Sequence, residues 1–372
     1  MKYFTAALLL TFILPNTLFA QHPRVSKFID SLTNINLRFV PAASVSYSPE
    51  TKWAFSVAGA YYFHWSKDTI TKQSFVSAEM TYTQRKQTLI DLSLNAFLKQ
   101  NTYFLRTNLN YSNFFERYWG IGNQTPNEND ESFTFERWNF NSRILRKTKP
   151  NLYLGLQIRY QNLYNIETNP DKQLAQGQIA GSKGSVTSGL GLDLMYDSRD
   201  NRFVPHKGVF VEIGNLWHSK IIGSQFNYNY YFIDMRTYIP LHKTNILAFQ
   251  VYAEGNFGNV PFNKLALLGN NMSTNAQMRG FISGRYRDQH YVSSQAEVRL
   301  KIWKLFGATA FCSLGDVYKN SLNELNISNL KVGYGGGIRI LLNQKDRLTF
   351  RVDYAINNQQ GSELYITLNE AF

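Results

Sequence analysis

Apolar and polar residues alternate with a period of two, almost without a break, from about Arg38 to Phe372, in segments of roughly ten to fifteen residues separated by turn signals. That period sends successive side chains to opposite faces of a strand, so every segment has one wet face and one apolar face. The pattern is cleanest late in the chain. There Leu348, Phe350, Val352, Tyr354 and Ile356 alternate with Arg347, Thr349, Arg351, Asp353 and Ala355. Beyond the first residues no window approaches the eighteen or so consecutive apolar residues that a membrane helix requires, yet 15% of the chain is aromatic. A transmembrane antiparallel β-barrel reconciles the two facts, because each strand shows lipid only its alternate residues and aromatic rings gather at both interfaces. The predicted fold is therefore all-β, a barrel of about sixteen strands.

The start of the chain has the look of an export signal. Lys2 precedes an apolar run from Phe4 to Leu14, and Leu18-Phe19-Ala20 offers a cleavage site. The expected organisation is a signal peptide over 1–20, a short periplasmic segment over 21–37 and an outer-membrane barrel over 38–372. The single cysteine, Cys312, excludes an intrachain disulfide, and no cysteine follows the cleavage site to carry a lipid anchor. An even strand count puts both ends of the barrel chain in the periplasm and the loops near 118–130, 165–184, 258–290 and 318–328 outside. Leu364, Ile366, Leu368 and Phe372 share one face of the closing strand. Glu370 interrupts that row, at little cost near the membrane interface.

A formal charge of +13 admits nucleic acid, membrane surfaces or anionic lipid as partners. Export and the dispersion of the basic residues exclude nucleic acid. The excess reads as lumen and rim charge, with lipopolysaccharide phosphates as the functional alternative. The histidines are scattered and form no metal-ligand pair, no serine sits in a nucleophile motif, and no glycine loop suits a phosphate. Neither a cofactor nor a catalytic site is expected. His290 beside Asp288 is the one notable pair, and it reads as loop packing.

The richest stretch runs from Met278 to Tyr318. Met278-Arg279-Gly280-Phe281 and Gly284-Arg285-Tyr286-Arg287-Asp288 form a basic loop, and a strand then carries Gln295, Glu297, Arg299 and Lys301 on one face. A loop of this kind packed inside the lumen would bring Arg279 out of bulk water, where an unpaired guanidinium is costly. Glu297 is the candidate partner. Further on, Lys331, Gly333, Gly335, Gly337 and Arg339 share a face that is mostly glycine. Either the loop approaches closely there, or these glycines supply the bends that close a sheet.

At these residues the chain resembles the BamA/TamA surface-antigen (D15-type) superfamily of outer-membrane insertases and translocators. In that family a sixth extracellular loop folds into the barrel and carries a Val/Ile-Arg-Gly-Phe/Tyr tetrapeptide, matched here by Met278 to Phe281. Asp197-Ser198-Arg199-Asp200-Asn201 with Pro205 and Gly208 is similar to the family's turn between mid-barrel strands, and Tyr118 to Asn123 to one of its loops. The resemblance implies that Arg279 clamps onto Glu297 and onto the residue two after Phe311. That residue here is Ser313, which leaves Asp288 or Asp316 as substitutes.

The resemblance also implies a seam between the first and last strands that opens toward the bilayer. Pro41 has no N–H to donate in the first strand, and Phe372 closes the last. The chain's end resembles the C-terminal signal of outer-membrane barrels. Residues 21–37 leave no room for the family's polypeptide-transport-associated domains. The expected function is assistance to protein insertion, assembly or translocation at the outer membrane of a Gram-negative cell. The expected partners are unfolded outer-membrane or surface proteins, outer-membrane lipids and a separate periplasmic or lipoprotein partner. A pore, a lipid-handling barrel or a scaffold is the alternative.

Overall fold

The computed structural model describes residues 39–48, 50–65, 68, 70–201, 204–242, 244–269, 277–327, 330–343, 347–368 and 370–372. The expected signal peptide and the segment over 21–37 lie outside the described residues. The strands are β1 (Phe39–Ser48), β2 (Lys52–Phe63), β3 (Ser74–Thr83), β4 (Thr88–Leu98), β5 (Tyr103–Tyr118), β6 (Glu131–Lys149), β7 (Leu152–Thr168), β8 (Ser185–Asp197) and β9 (Gly208–His218). They continue as β10 (Tyr228–His242), β11 (Asn245–Gly258), β12 (Ala266–Leu267), β13 (Arg287–Asp288), β14 (His290–Trp303), β15 (Phe306–Tyr318), β16 (Lys331–Asn343), β17 (Leu348–Asn357) and β18 (Ser362–Leu368). Sixteen of them close into one barrel in chain order, and β12 with β13 form a separate hairpin inside the loop between β11 and β14.

The alternation read from the sequence sorts side chains as a barrel requires. On β7, Leu154, Leu156, Ile158 and Tyr160 are exposed outward, while Tyr153, Gln157 and Gln161 are buried inward. Neighbouring strands are antiparallel and connected in sequence, so the connections alternate between the two ends of the barrel. One end carries the long connections around 119–130, 169–184, 259–289 and 319–330. The opposite end has two-residue links at 150–151 and 304–305.

Pairing is uneven around the wall. Among the described residues β14 and β15 are in register from His290↔Tyr318 to Trp303↔Phe306, whereas β1 and β18 share one register pair, Tyr47↔Ile366. Pro41 lies in the hairpin ladder opposite Gly59 of β2, on the stretch of β1 that has no register partner on β18.

Phe372 is not in this seam, contrary to the sequence reading. β18 ends at Leu368, and Glu370, Ala371 and Phe372 turn into the lumen. Phe372 is 3% exposed and packs with Tyr238 of β10 and Ile246 and Ala248 of β11. An aromatic ring in an alternating row suits lipid or a lumen pocket equally well. Here buried apolar partners and a guanidinium donor on the inner wall decide the direction.

Candidate functional site

The site is the inner wall of β14–β17 together with the loop that folds onto it. Inward residues of these strands fall into cross-strand rows fixed by register. One row is Glu297, Phe311, Gly335 and Ala355, and the next is Arg299, Thr309, Gly337 and Asp353. The glycines leave a trough between the acidic ends of the rows. A Cβ added at Gly337 would lie 2.1 Å from an Asp353 carboxylate oxygen, and one at Gly333 would lie 2.3 Å from the Arg279 carbonyl oxygen. Of the two readings left open for this glycine face, close approach of the loop is directly visible.

Arg279 fills the trough. Its guanidinium lies 3.5 Å from the centre of the Phe311 ring, Nη2 donates to Glu297 at 2.6 Å, and Nη1 donates to Asp353 at 2.7 Å. The arginine side chain is 1% exposed and both carboxylates 0%. In such surroundings charge-assisted bonds are strong, and a missing partner is costly. The flanking backbone is held as well. Gly280 has φ +99°, donates its N–H to the Tyr365 hydroxyl and accepts from the Asn357 side-chain amide. A Cβ there would meet the Ile356 carbonyl at 2.9 Å, so the position favours glycine twice over. Phe281 is buried among Leu268, Met278, Tyr286, Tyr291 and Val317.

The second carboxylate is therefore Asp353, not a residue on β15. The Ser313 hydroxyl donates to the Gly333 carbonyl at 3.1 Å and does not touch Arg279. Asp288 accepts from the Gln289 N–H, and Asp316 faces Lys331 and Asn123. The reason is the register: Asp353 sits on the Gly337 row, and the missing side chain lets its carboxylate reach into the trough. The alternation already placed Asp353 on the inward face of β17, which was the available signal.

The remaining loop residues tie the loop to the wall at other points. The Ser283 N–H donates to Glu50, whose carboxyl is pushed up by burial. Arg287 is 1% exposed, lies over Tyr118 and donates to the Arg117 carbonyl. The Tyr118-to-Asn123 segment meets this loop directly, since the Gly122 N–H donates to the Arg287 carbonyl at 2.8 Å and Arg285 lies over Trp119. Two motifs far apart in sequence thus form one cap. His290 bonds Tyr231 through Nδ1 at 2.9 Å, and no such contact joins it to Asp288.

The turn motif lies at the opposite end, away from the clamp. Asp197 accepts both Nε and Nη2 of Arg199, whose guanidinium covers Phe210. Asp200 accepts the N–H groups of His206 and Lys207 and pairs with Arg347 from the β16–β17 turn at 2.7 Å. Pro205 is buried, and Gly208 begins β9 with φ +111°. These contacts order a turn and form no reactive cluster. Among the described residues no group of three or more His, Cys, Asp or Glu side chains could hold a metal ion.

The Omp85 superfamily domain matches residues 72–372. No curated protein matches the chain. Among solved structures the barrel is similar to BamA from Haemophilus ducreyi lacking POTRA domains 1-3, with 13% identity and a TM-score of 0.60 over 89% of this chain and 70% of that one. It is also similar to CdiB from Acinetobacter baumannii (11% identity, TM-score 0.56, 89% and 59% covered) and to CdiB from Escherichia coli (10%, 0.57, 89% and 62%). The chain spans less than two thirds of either CdiB chain. At these identities the likeness is one of fold.

Proposed function

The chain belongs to the Omp85 superfamily and is an outer-membrane barrel, and from that premise we propose that it assists the insertion, assembly or translocation of proteins at that membrane. The observation that carries the reading is the contrast between a loop locked to β14–β17 by Arg279, Glu297 and Asp353 and a β1–β18 seam with, among the described residues, one register pair. A closed barrel leaves no backbone group unpaired in lipid. A seam held by so short a ladder opens at small cost, and the edge of β1 then offers hydrogen-bonding groups to an incoming strand. Meanwhile the clamped loop occupies the lumen and braces the adjoining wall of β14–β17, which meets the seam through the β17–β18 ladder. Arg279 has a bracing role on this reading and performs no chemistry. Unfolded outer-membrane or surface proteins are the proposed clients, a separate periplasmic or lipoprotein partner delivers them, and basic rim residues contact lipopolysaccharide.

Quantitative outer-membrane proteomics after depletion tests the reading, with replacement copies carrying either the unaltered chain or Arg279→Ala. Loss of several unrelated barrels or surface proteins, restored by the first copy and not the second, is the expected result. An unchanged proteome would overturn it and turn attention to a pore, lipid-handling or scaffold role. Large steady currents in planar bilayers would identify the pore, because a lumen filled by a clamped loop conducts poorly.

A further inference from the structure

Past the end of β18, Glu370 and Phe372 lie against the inner wall, Glu370 on β16 and β14 and Phe372 on β14, β11 and β10. There the tail is held as a bound peptide is held. The Phe372 ring lies 6.4 Å from the Tyr238 ring and packs on Ile246 and Ala248. The Arg299 guanidinium covers the ring and donates through Nη2 to the Phe372 carbonyl oxygen at 2.9 Å. Glu370 accepts from Arg339 Nε at 2.8 Å and lies 3.7 Å from Arg299. Arg299 meets the ring and the carbonyl, Arg339 meets the carboxylate, and Tyr238 with Ile246 and Ala248 packs the ring.

The same two arginines reach the loop clamp. Arg299 Nε donates to Glu297 at 2.7 Å, and Arg339 Nη1 donates to Asp353 at 2.5 Å, so each carboxylate that holds Arg279 is shared with an arginine that holds the tail. Arg351 also faces Asp353, at 3.5 Å. Four buried guanidiniums, those of Arg279, Arg299, Arg339 and Arg351, therefore share three carboxylates, those of Glu297, Asp353 and Glu370. Without Glu370 they would compete for two carboxylates. In a site this shielded, that competition weakens every member of the set.

We infer that the inner wall around Tyr238, Ile246, Ala248, Arg299 and Arg339 is a peptide-binding site, that its ligand is an acidic, aromatic segment supplied in cis by Glu370–Phe372, and that filling it tightens the Arg279 clamp. Loop and tail are thus coupled through shared carboxylates. The inference stands whether or not the barrel handles client proteins.

Trypsin cleavage after Arg279 or Arg285 in the purified full chain reports release of the loop. Deleting residues 370–372 should raise that rate at least about tenfold, since one partner of a buried ionic set is lost, and Glu370→Gln in the otherwise intact chain should raise it in the same direction. The peptide Leu-Asn-Glu-Ala-Phe, added in trans to the deleted form, should restore protection, and its Gln-Ala-Ala counterpart should not. In an Arg279→Lys background, Glu370→Gln should add less than its own effect. The inference is overturned if cleavage is unchanged in Glu370→Gln, if both peptides protect equally, or if the two substitutions act independently. Should the deleted form fail to fold, the Glu370→Gln and Arg279→Lys pair still decides the matter.

Discussion

The barrel has a stiff side and a thin side, and the two are built from different materials. On the stiff side, β14–β17 combine long ladders with buried ion pairs between Arg279, Arg299, Arg339, Glu297 and Asp353. On the thin side, β1 and β18 meet in register at Tyr47 and Ile366. Backbone ladders in lipid are costly to break one group at a time, so ladder length is the first control on where a barrel parts. The ion pairs add a second control, because they tie a loop across the strands and oppose shear between them. The comparison teaches that opening at one position need not loosen the whole sheet.

The comparison breaks first at Arg279. Arg279→Ala leaves Glu297 and Asp353 without their bridging cation and empties the trough beside Phe311, and it is expected to cost about 3–5 kcal/mol. Reduced abundance, lower resistance to protease and earlier loss of heat-modifiable gel mobility are the expected readouts. Unchanged values for all three would sink the clamp. Next in size is Asp353→Asn, expected to cost about 3 kcal/mol because Arg279, Arg339 and Arg351 all face that carboxylate. Ser313→Ala, at the position the family pattern pointed to, should cost about 1 kcal/mol or less, since it removes one neutral hydrogen bond to the Gly333 carbonyl. Equal effects at 353 and 313 would contradict the assignment of the second carboxylate.

Much of the stiff side was legible in the sequence, and the reason is periodicity. Alternation placed Glu297, Arg299, Arg339 and Asp353 on inward faces, and the Met278-to-Phe281 tetrapeptide marked the loop that meets them. Periodicity gives a face but not a register, so it could not show that Asp353 and Arg299 lie in one row three strands apart. The glycines of β16 were visible, but their use depended on where the loop lies. The tail departs from its alternating pattern for a related reason. Leu364, Ile366, Leu368 and Phe372 continue one alternating row, and nothing local marks the inward turn after β18. Only Glu370, out of place in an apolar row, hinted that the last residues leave the lipid face.

A crosslink sharpens the comparison from the thin side. Tyr47→Cys with Ile366→Cys places two thiols at opposed register positions, a spacing an antiparallel pair can bridge. Cys312, which is exposed, is replaced by Ser in the same chain to prevent mispairing. The disulfide is expected to stabilise the barrel by about 2 kcal/mol while abolishing the rescue of depleted cells, and a reductant should restore rescue. Full rescue by the oxidised, crosslinked barrel would mean that seam opening is not needed.

The smallest effect is expected at the end remote from both. His206 lies in the turn that Asp200 and Arg347 hold together, and its pKa falls below the usual 6.5 because burial, and then the nearby Arg347 charge, disfavour the imidazolium. The unfolded chain then takes up this proton at higher pH than the folded one. The turn is therefore at full strength above pH 6.5, loses stability as pH falls through that value, and levels off below the lower folded pKa. Asp200 reinforces the trend at more acid pH. Although burial opposes ionisation, its bonds to Arg347 and to two backbone N–H groups hold its pKa below 3.8, so its contribution is lost only as pH falls through that folded value. His206→Gln should flatten the dependence near pH 6 and leave the acid limb in place, read as the urea midpoint of the purified barrel against pH. Neither group bonds to Arg279, and the Arg299 and Glu370 charges that His206 also feels act in opposite directions, so protection of the Arg279 loop should change little across the pH 6 step. A loop that loosened with the turn would mean that the two ends are mechanically joined, and the stiff side would then extend the full height of the barrel.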